Sequence, residues 1–403
     1  MYMNRRVVIT GFGVLAANGI GENAFWNSLL EGKSGICRVT QFDPQGLPCQ
    51  IAGEIKGFQP DKYIFRKLKP RRMGRFSQLA VAATLMAIEK SGFTLAQLQE
   101  DYSLPVILGV STSAMDLIAR KAQFFTASSA IPSAAASAIT HELSLKTRLL
   151  TFSNACTSST NAIEAAVDVI KHNQANLVLA GGTDSSIARY VYETIGQSGM
   201  LSSNNDHPEH ASRPFDQNRD GGIIAEGAGM LVMESLDHAI SRGAKIYGEI
   251  TGYNDATDEF DKKDASGLET TMLRAIANAG LRPKDIDTIN AHGPSDINLD
   301  KNETEMIKHV LKNHAHEIPI TSIKGATGNP FGTAGVLQII SSLLCLQHNT
   351  IPPVTNYEHP DPACDLDYVV KTPFTGKFQR ILINSHGVGR VNSSVVLERV
   401  VSA

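Results

Sequence analysis

A chain of 403 residues is too long for one ordinary domain and long enough for two halves that each bury a core. With 42% hydrophobic and 19% charged residues, the composition is that of a globular protein and excludes a disordered one. A formal net charge of -3 with Lys and Arg scattered excludes the clustered basic face of a nucleic-acid binder.

The opening MYMNRRVVIT runs straight into a strand, without a signal-peptide core or cleavage pattern. No apolar run reaches the ~20 residues that span a bilayer. Five cysteines (37, 49, 156, 345 and 364) lack CxxC spacing and are odd in number, which argues against a disulfide framework or a zinc site. The expectation is a cytoplasmic protein without membrane insertion.

Arg6–Thr10 reads as a strand, followed by Gly11-Phe-Gly13-Val-Leu-Ala16. That run fits the dinucleotide fingerprint GxGxxA, and Glu31 stands about where a ribose-binding acid belongs. Asn18-Gly19-Ile20-Gly21 delays the helix, however, to Asn23–Leu30. A phosphate-binding helix opens inside its glycine run, so a plain strand-to-helix turn is preferred to a nucleotide oxidoreductase. The stretch from Ile36 to Arg66 is loop-rich, with Pro44, Pro48 and Pro60. KLKPRRMGR (Lys67–Arg75) is a solvated helix start or a dock for an acidic partner. Phe76–Ser91 and Ser133–His141 read as helices, and Pro105–Val110 as a buried strand.

Leu149–Asn173 organises the rest. Leu149–Phe152 reads as a strand end and Ser153–Ala155 as a corner; Ile163, Ala166, Val167 and Ile170 then recur at helical spacing. Cys156 therefore falls between a strand end and a helix N-terminus. Free N–H groups and the helix dipole there favour a thiolate and can hold an oxyanion. A buried, inert cysteine is the other reading. Leu177–Ala180 is the next strand, ended by Gly181-Gly182, and the polar loop Ser212–Gly221 can pair Arg213, Asp216, Arg219 and Asp220. Ile223–Glu234 is a further strand.

A second half starts near Tyr247, where GEITGYN echoes VVITGFG. Ile286–Ala291 precedes His292-Gly293, and Pro319–Ser322 leads through Lys324–Asn329 into the apolar helix Gly332–Leu346. Arg380–Ser385 then precedes His386-Gly-Val388-Gly389. Both halves follow one order of strands, loops and helices, which predicts a duplicated α/β fold with loops meeting at a seam. Three of those loops carry Cys156, His292 and Lys324–Asn329. A thiol, an imidazole and an amide together suit acyl transfer, the thiolate attacking while N–H groups donate to a developing enolate. A satisfied core histidine and a surface lysine are the bland readings of His292 and Lys324. Asp300 and Glu303, at the start of a helix through Leu311, either cap that helix or hold Lys324.

The motifs NACTSS at Asn154, AGGTDSS at Ala180, SRPFDQNRDGGIIAEGAGMLVME at Ser212, NAHG at Asn290, DKNE at Asp300, SIKGATGN at Ser322 and NSHGVGRVN at Asn384 stand in one order along nearly the whole chain. In these the chain resembles the elongating, type II β-ketoacyl-acyl-carrier-protein synthases of the thiolase superfamily. The resemblance implies a thiolase-like α/β fold, two duplicated halves (1–246 and 247–403) in five αβαβα layers, dimerised across a central sheet. It implies Cys156 as the nucleophile, His292 and Lys324 as active-site residues, Asp300 and Glu303 as supporting acids, and the N–H of Val388 beside that of Cys156 as the oxyanion hole. The partners implied are an acyl carrier protein bearing acyl and malonyl thioesters and a second copy, with a heterodimer as the variant. No cofactor is implied beyond the phosphopantetheine arm of the carrier.

The chain departs from the family in three places. Asn329 replaces the second histidine, five residues after the lysine. The HGTST loop reads His292-Gly-Pro-Ser-Asp296, losing two threonines and gaining a charge. The glycine-rich gate reads His386-Gly-Val388-Gly-Arg390, where Val388 replaces an aromatic residue and His386 either returns an imidazole to the site or faces elsewhere. The function expected is a specialised ketosynthase that condenses a Cys-bound acyl chain with malonyl carrier protein. A non-condensing acyltransferase or malonyl decarboxylase, and a non-catalytic partner subunit, are the alternatives.

Overall fold

The computed structural model describes residues 5–118, 126–259 and 265–400. Strand β1 (Val7–Ala16) is buried along its whole length. A strand covered on both faces carries a continuous apolar run rather than an alternating one. Gly11 and Gly13 lie inside β1, which corrects the expected strand end at Thr10 and the turn after it. The reason is helix α1 (Arg75–Ser91), which crosses there. A Cβ on Gly11 would stand 2.4 Å from the Ala87 carbonyl oxygen, and one on Gly13 2.1 Å from that of Ala83. GxGxxA is thus a strand–helix packing signature here, with no room for a pyrophosphate, and the nucleotide reading fails.

The first unit continues with β2 (Val106–Gly109), helix α2 (Ala134–Leu143), β3 (Leu149–Phe152), helix α3 (Ser158–Lys171), β4 (Leu177–Ser185) and β5 (Glu226–Ser235). Its strands lie in the order β3-β2-β4-β5-β1, with β3, β2 and β4 parallel and β5 antiparallel to both neighbours. Gly181 and Gly182 do not end β4, contrary to the sequence reading. A Cβ on Gly181 would stand 2.1 Å from the Gly229 carbonyl oxygen, and one on Gly182 2.6 Å from Cβ of Ser159. They are glycines so that β5 and α3 can approach the strand.

The second unit repeats this plan. It comprises β6 (Gly248–Thr257), helix α4 (Ser266–Asn278), β7 (Thr288–Asn290), helix α5 (Ile297–Leu311), β8 (Ile320–Thr321), helix α6 (Ala334–His348), β9 (Arg380–Gly387) and β10 (Val391–Glu398). The order is β8-β7-β9-β10-β6, with the same parallel and antiparallel pattern. Strand β10, which the sequence reading left out, completes the correspondence. Gly252 repeats the role of Gly11: a Cβ there would stand 2.0 Å from the Ala275 carbonyl oxygen of α4. The two units join where β1 meets β6, at Val8–Glu249 and Ile9–Gly248.

Helices α3 and α6 pack against each other and touch both units' strands, while α1 covers the outer face of the first unit and α4 and α5 that of the second. Three buried apolar clusters fill the spaces between these layers. The result is the expected five-layered αβαβα arrangement. Among the described residues one helical segment, Phe331–His348, is long and apolar enough by composition to cross a membrane, which the sequence reading did not note. It is 83% buried in the middle layer of the fold.

Candidate active site

The nucleophile corner is set by backbone geometry. After β3 the chain turns at Ala155, which holds a positive φ of 46°, before a short 3-10 turn (Ala155–Thr157) leads into α3. A non-glycine residue in this region is strained, and such strain collects at functional corners. Hydrogen bonds hold the corner shut: Asn154 N–H donates to Ser158 Oγ at 2.9 Å, and Ser158 Oγ–H to the Ala155 carbonyl at 2.6 Å. The second unit repeats the device at Phe331, φ 44°, before α6. The two corners face each other across the seam.

Cys156, 3% exposed, lines a cavity of about 280 Å³ at that seam. His292, Asn329, His386 and Val388 line the same cavity, so the structure brings together five of the eight residues singled out from sequence. Nδ2 of Asn329 stands 3.8 Å from Sγ of Cys156, and its Oδ1 is buried without a hydrogen-bond partner. The N–H of Val388 also points to the sulfur, while the Val388 side chain is 66% exposed at the cavity mouth. His386 faces His292, with ring centroids 6.2 Å apart and planes at 67°.

Lys324 lies behind His292. Its Nζ donates to the His292 carbonyl at 2.5 Å and to Gln338 Oε1 at 3.3 Å, and stands 3.3 Å from His292 Nδ1. The surface reading of Lys324 is wrong, since it is 1% exposed. Asp300 and Glu303 do not hold it by direct contact, contrary to one reading. Glu303 accepts instead from the N–H groups of His292 (2.8 Å) and Gly293 (2.9 Å) and from Asn384 Nδ2 (3.2 Å). Asp300 accepts from the Phe215 N–H at 2.7 Å and lies 3.6 Å from the Arg219 guanidinium. Nor do they cap α5: that falls to Asp296, which accepts from the N–H groups of Asn298 and Leu299 at 2.9 Å each. The charge that Asp296 adds to the loop is turned toward the helix N-terminus, where it is stabilised.

Burial governs the protonation of these groups. It pushes the Cys156 thiol up to about 11, against Lys324, Asn329 and the Val388 N–H, which favour the thiolate. Desolvation thus opposes the thiolate that the donors around the sulfur favour. Burial, then the Lys324 charge, holds His292 well below the ordinary imidazole range, so it is neutral. Burial also brings Lys324 down to about 8, against Glu303, Cys156 and Asp300.

Several functional neighbours went unnoticed in the sequence. Gln338 donates to the carbonyls of Asn290, Ala291 and Asn384 and accepts from Lys324. Its signal was present: a lone amide in the apolar run VLQIISSLLCL. Asn392, which bears on His386, stands six residues on in the same NSHGVGRVN motif and was not singled out, while Asp258, which holds Asn392, lies 134 residues away in the chain and gave no local signal.

Comparison with known proteins decides the family. Residues 4–239 match "Beta-ketoacyl synthase, N-terminal domain" and residues 244–358 match "Beta-ketoacyl synthase, C-terminal domain". The chain belongs to the β-ketoacyl synthase family. It is 35% identical to 3-oxoacyl-[acyl-carrier-protein] synthase 2 of Coxiella burnetii, over 98% of this chain and 99% of that one. To a putative polyketide beta-ketoacyl synthase 1 of Streptomyces halstedii it is 34% identical, over 98% of each. Among solved structures it superposes with a TM-score of 0.89, at 28% identity, on the AntDE:AntF complex, described as a type II polyketide synthase acyl-carrier protein with its ketosynthase bound to the hexaketide; the match covers 99% of this chain and all of that one. The synthase is thus an acyl-transferring condensing enzyme with the thiolase-like fold that the layers show.

Proposed function

We propose that this ketosynthase condenses a Cys156-bound acyl chain with malonyl on an acyl carrier protein through a Cys156–His292–Asn329 site. The observation that supports it is the meeting of those three side chains in one cavity, with the Asn329 amide 3.8 Å from the sulfur. In the first half-reaction the sulfur attacks the acyl thioester, and the N–H groups of Cys156 and Val388 take the oxyanion. In the second, malonyl thioester loses carbon dioxide and the resulting carbanion attacks the acyl-cysteine. The enolate oxygen needs donors. Lys324 donates to Nδ1 of His292, which places the ring hydrogen on Nε2, facing the cavity. Asn329 Nδ2 supplies the other donor without changing charge.

Acyl and malonyl groups arrive on phosphopantetheine thioesters, with no further cofactor in the scheme. The carrier docks on the basic loop Lys67, Lys69, Arg71 and Arg72, whose side chains are exposed. That loop is held in shape by one buried carboxylate: Glu142 of α2 accepts from the N–H groups of Phe65, Arg66, Lys67 and Leu68 at 2.6–3.0 Å. The half-buried β3 ends the sheet and offers its open edge to a second copy, supporting a homodimer.

Mixing the protein with acyl carrier thioesters, then with labelled malonyl carrier protein, tests this reading. The acyl mass appears on Cys156, and the product is longer by two carbons. Release of carbon dioxide without elongation would favour a decarboxylase; no acyl mass on Cys156 at any chain length would overturn the proposal.

A further inference from the structure

Cys156 needs a proton acceptor, and two of the nitrogen-bearing side chains around it cannot serve. His292 accepts from Lys324 at Nδ1, so its hydrogen stands on Nε2 and the ring meets the cavity as a donor. Asn329 offers an amide, which neither gains nor loses a proton near neutrality.

His386 is arranged differently. It lies in β9 directly across from Asn392 of β10, and its Nδ1 stands 2.5 Å from Asn392 Oδ1. The Asn392 amide is oriented from its other end: Nδ2 donates to Asp258 Oδ1 at 2.8 Å and to the Arg390 carbonyl at 3.5 Å. Both of those partners accept, so Oδ1 faces the ring. An oxygen acceptor there places the ring hydrogen on Nδ1 and leaves the lone pair of Nε2 free. Asp258 also accepts from the Gly267 N–H at 2.9 Å. A Cβ on Gly267 would stand 2.6 Å from Asn392 Nδ2 and 2.7 Å from Asp258 Oδ1, so the start of α4 leaves space for this chain of groups. At the other end, Gly387 packs on the nucleophile: a Cβ there would lie 2.9 Å from Cys156 N.

We propose that His386, oriented by Asn392 and Asp258, is the general base of the acyl-transfer half-reaction. This rests on Cys156 being the acylated residue. The proton of the Cys156 thiol moves to Nε2 of His386 as the bond from sulfur to the acyl carbon forms. The bond from that carbon to the pantetheine sulfur then breaks, and the leaving sulfur takes the proton from Nε2. No proton or electron is left over. An imidazole oriented by an amide is the device that activates cysteine nucleophiles on unrelated folds, and His386 shares the cavity of Cys156. The two imidazoles thereby divide the chemistry: His292 donates to the enolate of the malonyl half, and His386 carries the proton of the acyl half.

Single-turnover acylation of Cys156 by acyl carrier protein, and its alkylation by iodoacetamide, test the assignment in the intact protein. His386→Phe is expected to slow both by roughly 100-fold or more. The loss falls on acylation and not on the malonyl step, so the ratio of the two rates drops. Asn392→Ala leaves the ring in place but unanchored and is expected to slow acylation by roughly 10-fold; it carries the test should His386→Phe fail to fold. Acylation and alkylation at the wild-type rate in both variants would overturn the role of His386 alone. A wild-type protein that takes no acyl mass would overturn the ketosynthase reading instead.

Discussion

The Lys324 ammonium stands 3.3 Å from Nδ1 of His292 and donates to that residue's own carbonyl at 2.5 Å. One buried cation thus fixes both the tautomer and the backbone of the histidine that faces the substrate. Burial lowers Lys324 from its ordinary 10.5 to about 8. Below that pH the charged donor is present; above it a neutral amine, a weaker donor, replaces it, and decarboxylation of malonyl carrier protein is expected to fall on a limb near pH 8. Between about 8 and 10.5 the unfolded chain binds more protons at this residue than the folded one, so its contribution to stability rises with pH. Urea midpoints of wild type measured against Lys324→Met across that window check the sign. Activity and relative stability should move in opposite directions, and a parallel fall would refute the assignment.

Asn329→Ala removes a donor from the enolate position. Condensation is expected to fall by roughly 10²–10³-fold, measured as turnover of labelled malonyl carrier protein. Stability should change by less than about 1 kcal/mol, because Oδ1 already lacks a partner and the backbone bonds of Asn329 to Ile223 and Ala225 remain.

The duplicated packing makes a paired prediction. Gly11→Ala and Gly252→Ala each drive a Cβ into a helix carbonyl, of Ala87 and Ala275 respectively. Each is expected to lower stability by about 1–3 kcal/mol in urea unfolding. A harmless Gly252→Ala would show that the second unit does not repeat the strand–helix contact of the first.

Glu142 joins the basic loop to α2. Replacing it with Gln leaves one acceptor oxygen for four N–H groups, with an expected loss of about 2–4 kcal/mol. Burial acts to raise this carboxyl, and the four N–H groups outweigh it, leaving it below its ordinary 4.5. Its stabilisation is therefore complete above 4.5 and is lost as pH falls through the lower, folded value. Amide hydrogen exchange across 65–68 should quicken over that acid range. For the carrier protein, Glu142→Gln should raise KM several-fold and leave kcat unchanged.

Salt should weaken carrier binding if the basic loop is the dock. Reversing Lys67, Lys69, Arg71 and Arg72 to Glu is expected to raise KM by roughly 10-fold or more and to flatten its dependence on ionic strength. An unchanged KM would move the dock elsewhere.

By itself the sequence determined the elements and the chemistry they carry. The strand end at Phe152, the helix after Cys156 and the echo of VVITGFG in GEITGYN are local patterns, and local patterns survive without coordinates. Where neighbours in space decided the outcome, the sequence was silent or misleading. Gly11, Gly13, Gly181 and Gly182 look like turns in isolation and are strand residues, because the helix or strand that needs their missing Cβ lies far away in the chain. Glu303 looked like a partner for Lys324 and instead holds the N–H groups of His292 and Gly293, since α5 brings it under that loop. Whether His386 faced inward depended on Asn392 and Asp258, across one strand pair and one side-chain contact. The upward push on the Cys156 thiol comes from desolvation, a property of everything packed around the sulfur and of no residue beside it in the chain.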